Sequence, residues 1–288
     1  MCFHSDLRTR IDQTIQIGLG ALPEAESEMH FEVIRQWLKH CDENHQDGAS
    51  SCLPPTTGYP GSPKPTQKRL PTRVIEVGRD GDGKVFLRQT KAEDMGEWLA
   101  LSHQWGPMPH FCTTTATLSR HLEGLDFDAL PTTFRDAVAV TRALRCRYLW
   151  IDCLCIIQGD GGDFNEEAKR MEQVYSGAYC VLAISRAASH YAGFLGPRRK
   201  RDFVELRRRE EAPFYICENI DDFNTHVLES DLSRRGWVLQ EHALARRTVF
   251  FTDHQTYWEC GEGVRCETMM KMKKYTYALF LRFLPLSM

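Results

Sequence analysis

The sequence predicts an α/β domain built on a parallel sheet with helices on both faces. Three observations carry that expectation. Residues 98–102, 148–157 and 179–185 are short runs apolar on both faces, as buried central strands are. Segments with helical periodicity separate them, so that strand, helix, strand, helix and strand follow in order. Polar side chains then appear where the strands end, the edge at which open α/β sheets hold ligands.

Taken along the chain, residues 29–41 carry Phe31, Ile34, Trp37 and Leu38 at helical spacing and read as one amphipathic helix. The stretch 42–71 holds six prolines among Gly, Ser and Thr and reads as a linker. Residues 74–77 and 85–88 flank Asp80-Gly81-Asp82-Gly83, which predicts a β-hairpin; no downstream Glu completes a calcium loop there. Strand 98–102 stops at His103-Gln104-Trp105-Gly106-Pro107. Pro131 opens a helix with Phe134, Ala137, Val138, Thr141 and Leu144 on one face, and Thr133 and Asp136 are spaced as a capping box. Beyond Arg198 the pattern turns β-rich, with strands at 214–217, 248–252 and 256–259 and a helical turn near 237–244. The expected organisation is a helical leader (1–41), a linker (42–73), a main domain with its preceding hairpin (74–265) and a ragged tail (266–288).

Net charge is −3, against general nucleic-acid or membrane-surface binding. Arg198, Arg199, Lys200 and Arg201, then Arg207, Arg208 and Arg209, form a basic cluster read as a solvated loop and strand edge. Eleven cysteines scattered through strands and loops do not make a disulfide framework. No signal peptide is evident, and residues 277–286 are apolar but too short to span a bilayer. An intracellular, cytoplasmic protein with reduced thiols is expected.

The residue that asks for a reason is Glu167. At 100° per residue from Phe164, it falls among Ala168, Met171, Val174 and Tyr175 on the apolar stripe of a helix, while Glu166 faces away. A buried carboxylate costs several kcal/mol unless paired, so one beside a cleft is a candidate for chemistry; an Arg or backbone partner is the plainer explanation. Asp152, Ser102 and Trp105 converge on the same expected edge. A zinc site using Cys41, His45 and Cys52, with Cys2 or His40 as fourth ligand, is a separate candidate, because thiolate and imidazole suit that metal. Neither G-x-S-x-G nor H-E-x-x-H occurs. Cys153 and Cys155 read as packing on one strand face, and His242 and His254 carry no assigned role.

Several ordered blocks resemble the fungal heterokaryon incompatibility (HET) domain. They are Leu101-Ser102-His103-Gln104-Trp105-Gly106; Leu130-Pro131-Thr132-Thr133-Phe134-Arg135-Asp136-Ala137; Tyr148-Leu149-Trp150-Ile151-Asp152; Leu154-Cys155-Ile156-Ile157-Gln158; and Arg235-Gly236-Trp237-Val238-Leu239-Gln240-Glu241. Phe164, Glu167, Met171 and Val174-Tyr175 agree as well. The chain departs from the family at His103 and Gln104, where Tyr and Cys are commoner, and at Phe164, where Trp is.

The resemblance implies a role in fungal non-self recognition and programmed cell death. It also implies distant kinship with TIR domains, hence a flavodoxin/TIR-like sheet and, in some members, cleavage of NAD by a helix-borne Glu. On that basis Glu167 and Asp152 are the catalytic candidates, and Ser102, Trp105, Gly106 and Arg135 those for holding NAD, which enters as substrate with no tightly bound cofactor. The alternative implied is a non-catalytic adaptor that self-associates or recruits another incompatibility protein. No glycine-rich phosphate loop is present.

Overall fold

The computed structural model describes residues 22–45, 52, 68–207 and 214–272. Most of the expected linker, the tail beyond 272, Cys2, and Arg208 with Arg209 lie outside the described residues.

In chain order the elements are α1 (Glu28–Asn44), β1 (Lys68–Arg69), β2 (Arg73–Glu76), β3 (Lys84–Gln89), β4 (Met95–Gly96), β5 (Trp98–Ser102), α2 (Leu118–Glu123), β6 (Leu125–Asp126), α3 (Thr132–Ala143) and β7 (Tyr148–Trp150). Next come α4 (Asp152–Cys155), α5 (Phe164–Ala168), α6 (Met171–Gly177), β8 (Cys180–Ile184), β9 (Phe203–Leu206), β10 (Phe214–Cys217), α7 (Gly236–Leu244), β11 (Thr248–Phe251), β12 (Thr256–Cys260), β13 (Gly263–Cys266) and β14 (Lys271–Met272). A π-helical turn, Asn224–Leu228, precedes α7.

Ten strands form one mixed sheet in the order β14-β13-β12-β11-β8-β5-β7-β2-β3-β6. The four in the middle, β11, β8, β5 and β7, run parallel. Every residue of β5, β8, β11 and β12 is buried. Successive side chains point to opposite faces, so both faces of the sheet are covered there, which is why these strands read as unbroken apolar runs.

The expected parallel sheet therefore occupies only the centre. The hairpin β2–β3 adds to one side, β2 pairing antiparallel with β7. The C-terminal strands β12, β13 and β14 continue the same sheet beyond β11, while β9 with β10, and β1 with β4, form separate two-stranded sheets.

The leader helix docks on this extension. Ser27 caps α1 by accepting from His30 N (3.1 Å). Its buried face presents Phe31, Ile34, Trp37, Leu38 and Cys41, and Trp37 stacks on Trp258 of β12. His30 Nε2 meets Thr256 Oγ1 at 2.8 Å.

Three local expectations change. Residues 148–157 are a three-residue strand followed by a helical turn, α4, closed by Cys155 N donating to Ile151 O (2.7 Å) and Ile156 N to Asp152 O (3.0 Å). A run buried in either conformation carries no periodicity to tell them apart. Cys153 and Cys155 accordingly sit on α4, not on a strand. The capping box is absent: Thr133 Oγ1 donates to Ser189 O (2.8 Å), and Asp136 Oδ2 accepts from Phe194 N and Leu195 N, so both residues fasten the loop after β8. Third, the helix of Glu167 breaks at Lys169-Arg170 into α5 and α6.

Candidate functional site

The carboxyl ends of β5 and β7 open into a cleft of about 200 Å³. From β5 the chain supplies Leu101, His103 and Trp105; after β7 it supplies Asp152; α6 adds Met171 and Tyr175, and the start of α7 adds Arg235, Val238 and Glu241. The cleft thus has an apolar lining into which two carboxylates project.

Asp152 is held on both oxygens. Oδ2 accepts from Trp105 Nε1 (2.8 Å) and Oδ1 from Cys153 N (2.7 Å). Desolvation nevertheless raises its pKa, with those two hydrogen bonds opposing the rise. Glu241 is buried, and its pKa is raised to about 7, chiefly by loss of solvent and further by the negative charge of Asp152. The hydroxyls of Ser102 and Tyr175 and the Arg235 guanidinium favour its ionised form. Ser102 Oγ is buried with no partner at hydrogen-bonding geometry. Tyr175 is buried beside both carboxylates, donates to Leu101 O (3.3 Å), and its phenol is pushed well above its usual range by burial.

A wall of imidazoles backs this cleft. His103 is buried with neither ring nitrogen hydrogen-bonded, and burial lowers its pKa to about 3. His190 stands 5.1 Å from it between ring centroids, accepts from Phe111 N at Nδ1 (3.4 Å), and is lowered to about 4, again mainly by burial. Both rings are neutral at pH 7. Ligand atoms of His103, His190 and Cys153 lie within 4.8 Å of one another and could hold a metal. Arg235 Nη1 donates to His103 O (3.0 Å), tying the entry of α7 to the end of β5.

The candidates from the sequence divide. Asp152, Trp105 and Ser102 come together. Glu167 is buried but does not join them: it lines a second depression of about 340 Å³ with Thr72, Thr90, Trp98, Arg170 and Gln173. Trp98 is the first residue of β5, whereas Ser102 is the last, so the two depressions lie toward opposite ends of that strand. Phe164 of α5 and Met171 and Tyr175 of α6 line the cleft, whereas Glu167 of α5 lines the second depression. Arg170 Nη1 reaches Glu167 Oε1 (3.3 Å) and Thr72 Oγ1 (2.7 Å).

Arg135 is half-buried, donates to Thr132 Oγ1 (3.4 Å) and does not line the cleft. Gly106 adopts φ +74°, and a Cβ on it would lie 2.2 Å from Ser189 Cβ, so the close approach of these two loops requires glycine. Burial pushes the Cys155 thiol up to about 12 and Cys153 well above its usual range, so both stay protonated. His242 bonds Glu259, and His254 stacks on His226. The zinc candidates Cys41, His45 and Cys52 do come together, joined by Cys260 and, among the described residues, not by His40; Cys2 lies outside the described residues.

Comparison with protein families decides the kinship. The description "Heterokaryon incompatibility protein (HET)" matches residues 98–241, half of the chain. The chain belongs to the heterokaryon incompatibility family. The HET segment begins on the first residue of β5 and ends on Glu241, so it spans every residue of the cleft. Comparisons with curated proteins and with solved structures found no match. Among the described residues no helix is long and apolar enough to cross a membrane.

Glu241, Arg235 and Tyr175 belong to the blocks that carry the family resemblance but have no site role on sequence grounds, and His190 stands in no motif. Their signal is the spacing of separate blocks in one family, which marks shared constraint without saying which blocks meet.

Proposed function

We propose that this HET protein acts in fungal non-self recognition and programmed cell death by hydrolysing the nicotinamide–ribose bond of NAD in the carboxyl-edge cleft. The observation that carries the reading is the pair Asp152 and Glu241, two carboxylates in one apolar cleft, the charge of Asp152 opposing ionisation of Glu241. Such pairs are assembled where charge must be stabilised and a proton accepted near neutral pH. The strand order supports it too. Counted along the chain, the parallel strands lie as second, first, third and fourth, the order of flavodoxin-like sheets, and the cleft opens at their carboxyl edge, where open α/β sheets hold ligands.

Nicotinamide leaves NAD as a neutral molecule, so cleavage needs no general acid. The Asp152 carboxylate, oriented by Trp105 and Cys153, stabilises the positive charge that develops on the ribose. Glu241, with its pKa near neutrality, takes the proton of the attacking water. The products are nicotinamide, ADP-ribose and one proton. Arg235, exposed at the rim, meets the pyrophosphate. The cleft accommodates one end of the dinucleotide, below the roughly 300 Å³ of a typical whole-ligand pocket.

The test is nicotinamide release by the purified chain at increasing protein concentration. Wild-type protein releases it, Glu241→Gln at least about 100-fold more slowly, and Glu167→Gln at the wild-type rate. Loss in Glu167→Gln with retention in Glu241→Gln would move the chemistry to the amino-edge depression that the TIR analogy singles out.

The adaptor reading has its own support. The paired strands β9 and β10, separate from the main sheet, expose Phe203, Val204, Tyr215 and Ile216. A self-associating surface of this kind predicts that Ile216→Ser lowers the assembled mass in sedimentation. No nicotinamide release at any concentration, together with that shift, would favour the adaptor.

A further inference from the structure

We propose that Cys41, His45, Cys52 and Cys260 form a closed structural zinc site that fastens the leader to the C-terminal extension of the sheet. All four residues are buried, and their ligand atoms lie within 4.8 Å of one another. Three sulfurs surround one nitrogen: His45 Nδ1 is 3.3 Å from Cys41 Sγ, 3.6 Å from Cys52 Sγ and 3.6 Å from Cys260 Sγ. One imidazole nitrogen has a single hydrogen or a single lone pair in the ring plane and cannot satisfy three sulfurs by hydrogen bonding. A central ion can. With Zn–S near 2.3 Å and Zn–N near 2.0–2.1 Å, a tetrahedron separates nitrogen and sulfur by about 3.5 Å, the spacing seen.

The surroundings fit a thiolate-rich site. Gly261 N donates to Cys52 Sγ (3.2 Å), the kind of outer contact that steadies a metal-bound thiolate. Cys52 N donates to His45 O (3.2 Å), closing the loop between two ligands. Three thiolates and one neutral imidazole around a divalent ion carry a net charge of −1. The guanidinium of Arg247, buried and paired to Asp42 (2.7 Å), is an electrostatic neighbour of Cys41 and places positive charge beside the thiolates. With four protein ligands, no position is left for substrate, so the site is structural.

Position in the chain gives the site its purpose. Cys41 lies in the last turn of α1, His45 just past it, Cys52 seven residues on, and Cys260 ends β12. All four are outside residues 98–241, the HET segment. The metal therefore joins the leader on the amino side of that segment to β12 on its carboxyl side, beside the Trp37–Trp258 stack. Nothing in it depends on NAD chemistry.

Zinc content of the full chain, purified without chelators, tests the assignment. Wild-type protein and a Cys217→Ser control carry one zinc per chain, and Cys260→Ser carries at least about tenfold less after dialysis. Because Cys260→Ser can fail to fold, cobalt substitution of the wild type is read in parallel: tetrahedral d–d bands with thiolate charge transfer are expected. A wild type that holds no zinc and gives no tetrahedral cobalt spectrum overturns the site, as does full zinc in folded Cys260→Ser. So does a disulfide among Cys41, Cys52 and Cys260 in freshly purified protein.

Discussion

Two buried carboxylates, Glu167 and Glu241, meet burial in different ways. Glu167 sits toward the amino end of β5 with Arg170 on the next turn of the chain, a local ion pair whose arginine is half in solvent. Glu241 sits at the carboxyl end among Ser102, Tyr175 and Asp152, and the like charge of Asp152 outweighs the opposite charge of Arg235. The first arrangement neutralises a charge. The second keeps a group poised between charged and neutral near physiological pH, which proton-transfer chemistry uses and stability alone does not favour.

The largest expected effect separates the two sites by rate. Glu241→Gln should slow nicotinamide release by about 10²–10⁴-fold, the usual worth of a positioned acid or base, while Glu167→Gln leaves it within about twofold. Equal losses in both variants would erase the functional contrast.

Next comes pH-dependent stability. In the unfolded chain Glu241 ionises near its ordinary value of 4.5, in the fold only near 7. Between these values the folded state holds a proton that the unfolded state has released, so its contribution to stability falls as pH rises from about 4.5 to about 7 and stays low above. The shift corresponds to about 3 kcal/mol at 1.36 kcal/mol per unit. Urea unfolding should therefore show Glu241→Gln more stable than wild type at pH 8 by up to about 3 kcal/mol, and no different at pH 4. A variant less stable at pH 8 would mean that the carboxylate is paired more strongly than the fold indicates.

Trp105→Phe removes the indole donor to Asp152 Oδ2. A hydrogen bond to a charged group is worth about 1.5–3 kcal/mol, so the acidic limb of the pH–rate profile should move upward while the Glu167 depression is untouched. Smallest is Glu167→Gln on stability: with Arg170 more than half exposed, the loss should stay below about 1 kcal/mol in urea unfolding, shrinking further with salt.

Much of the framework was legible beforehand. β5, β8, the β2–β3 hairpin, α1 and α3 fall within a few residues of their sequence patterns, because each is long or apolar enough for burial to leave a period or an unbroken run. Asp152, Ser102 and Trp105 were readable as a group, since each lies at or just after the end of a strand. Glu167 is buried, as its place on the apolar stripe predicts, but it lines the other depression, because a helical period tells which face is buried and not which end of the sheet that face meets. Thr133 and Asp136 had the spacing of a cap but were recruited by Ser189, Phe194 and Leu195, partners more than 50 residues away.

The chain by itself determined its family, its α/β class and the edge of the sheet where polar groups would gather, because those follow from local patterning and from blocks contiguous in sequence. Only the tertiary structure decided which carboxylate faces Asp152 and which cysteine completes the Cys41–His45–Cys52 cluster. Glu241 reaches the cleft from α7, 89 residues after Asp152, and Cys260 reaches the leader from β12, 208 residues after Cys52. Side chains so far apart in sequence meet because sheet order brings them together, and sheet order is a property of long-range packing that no local period encodes.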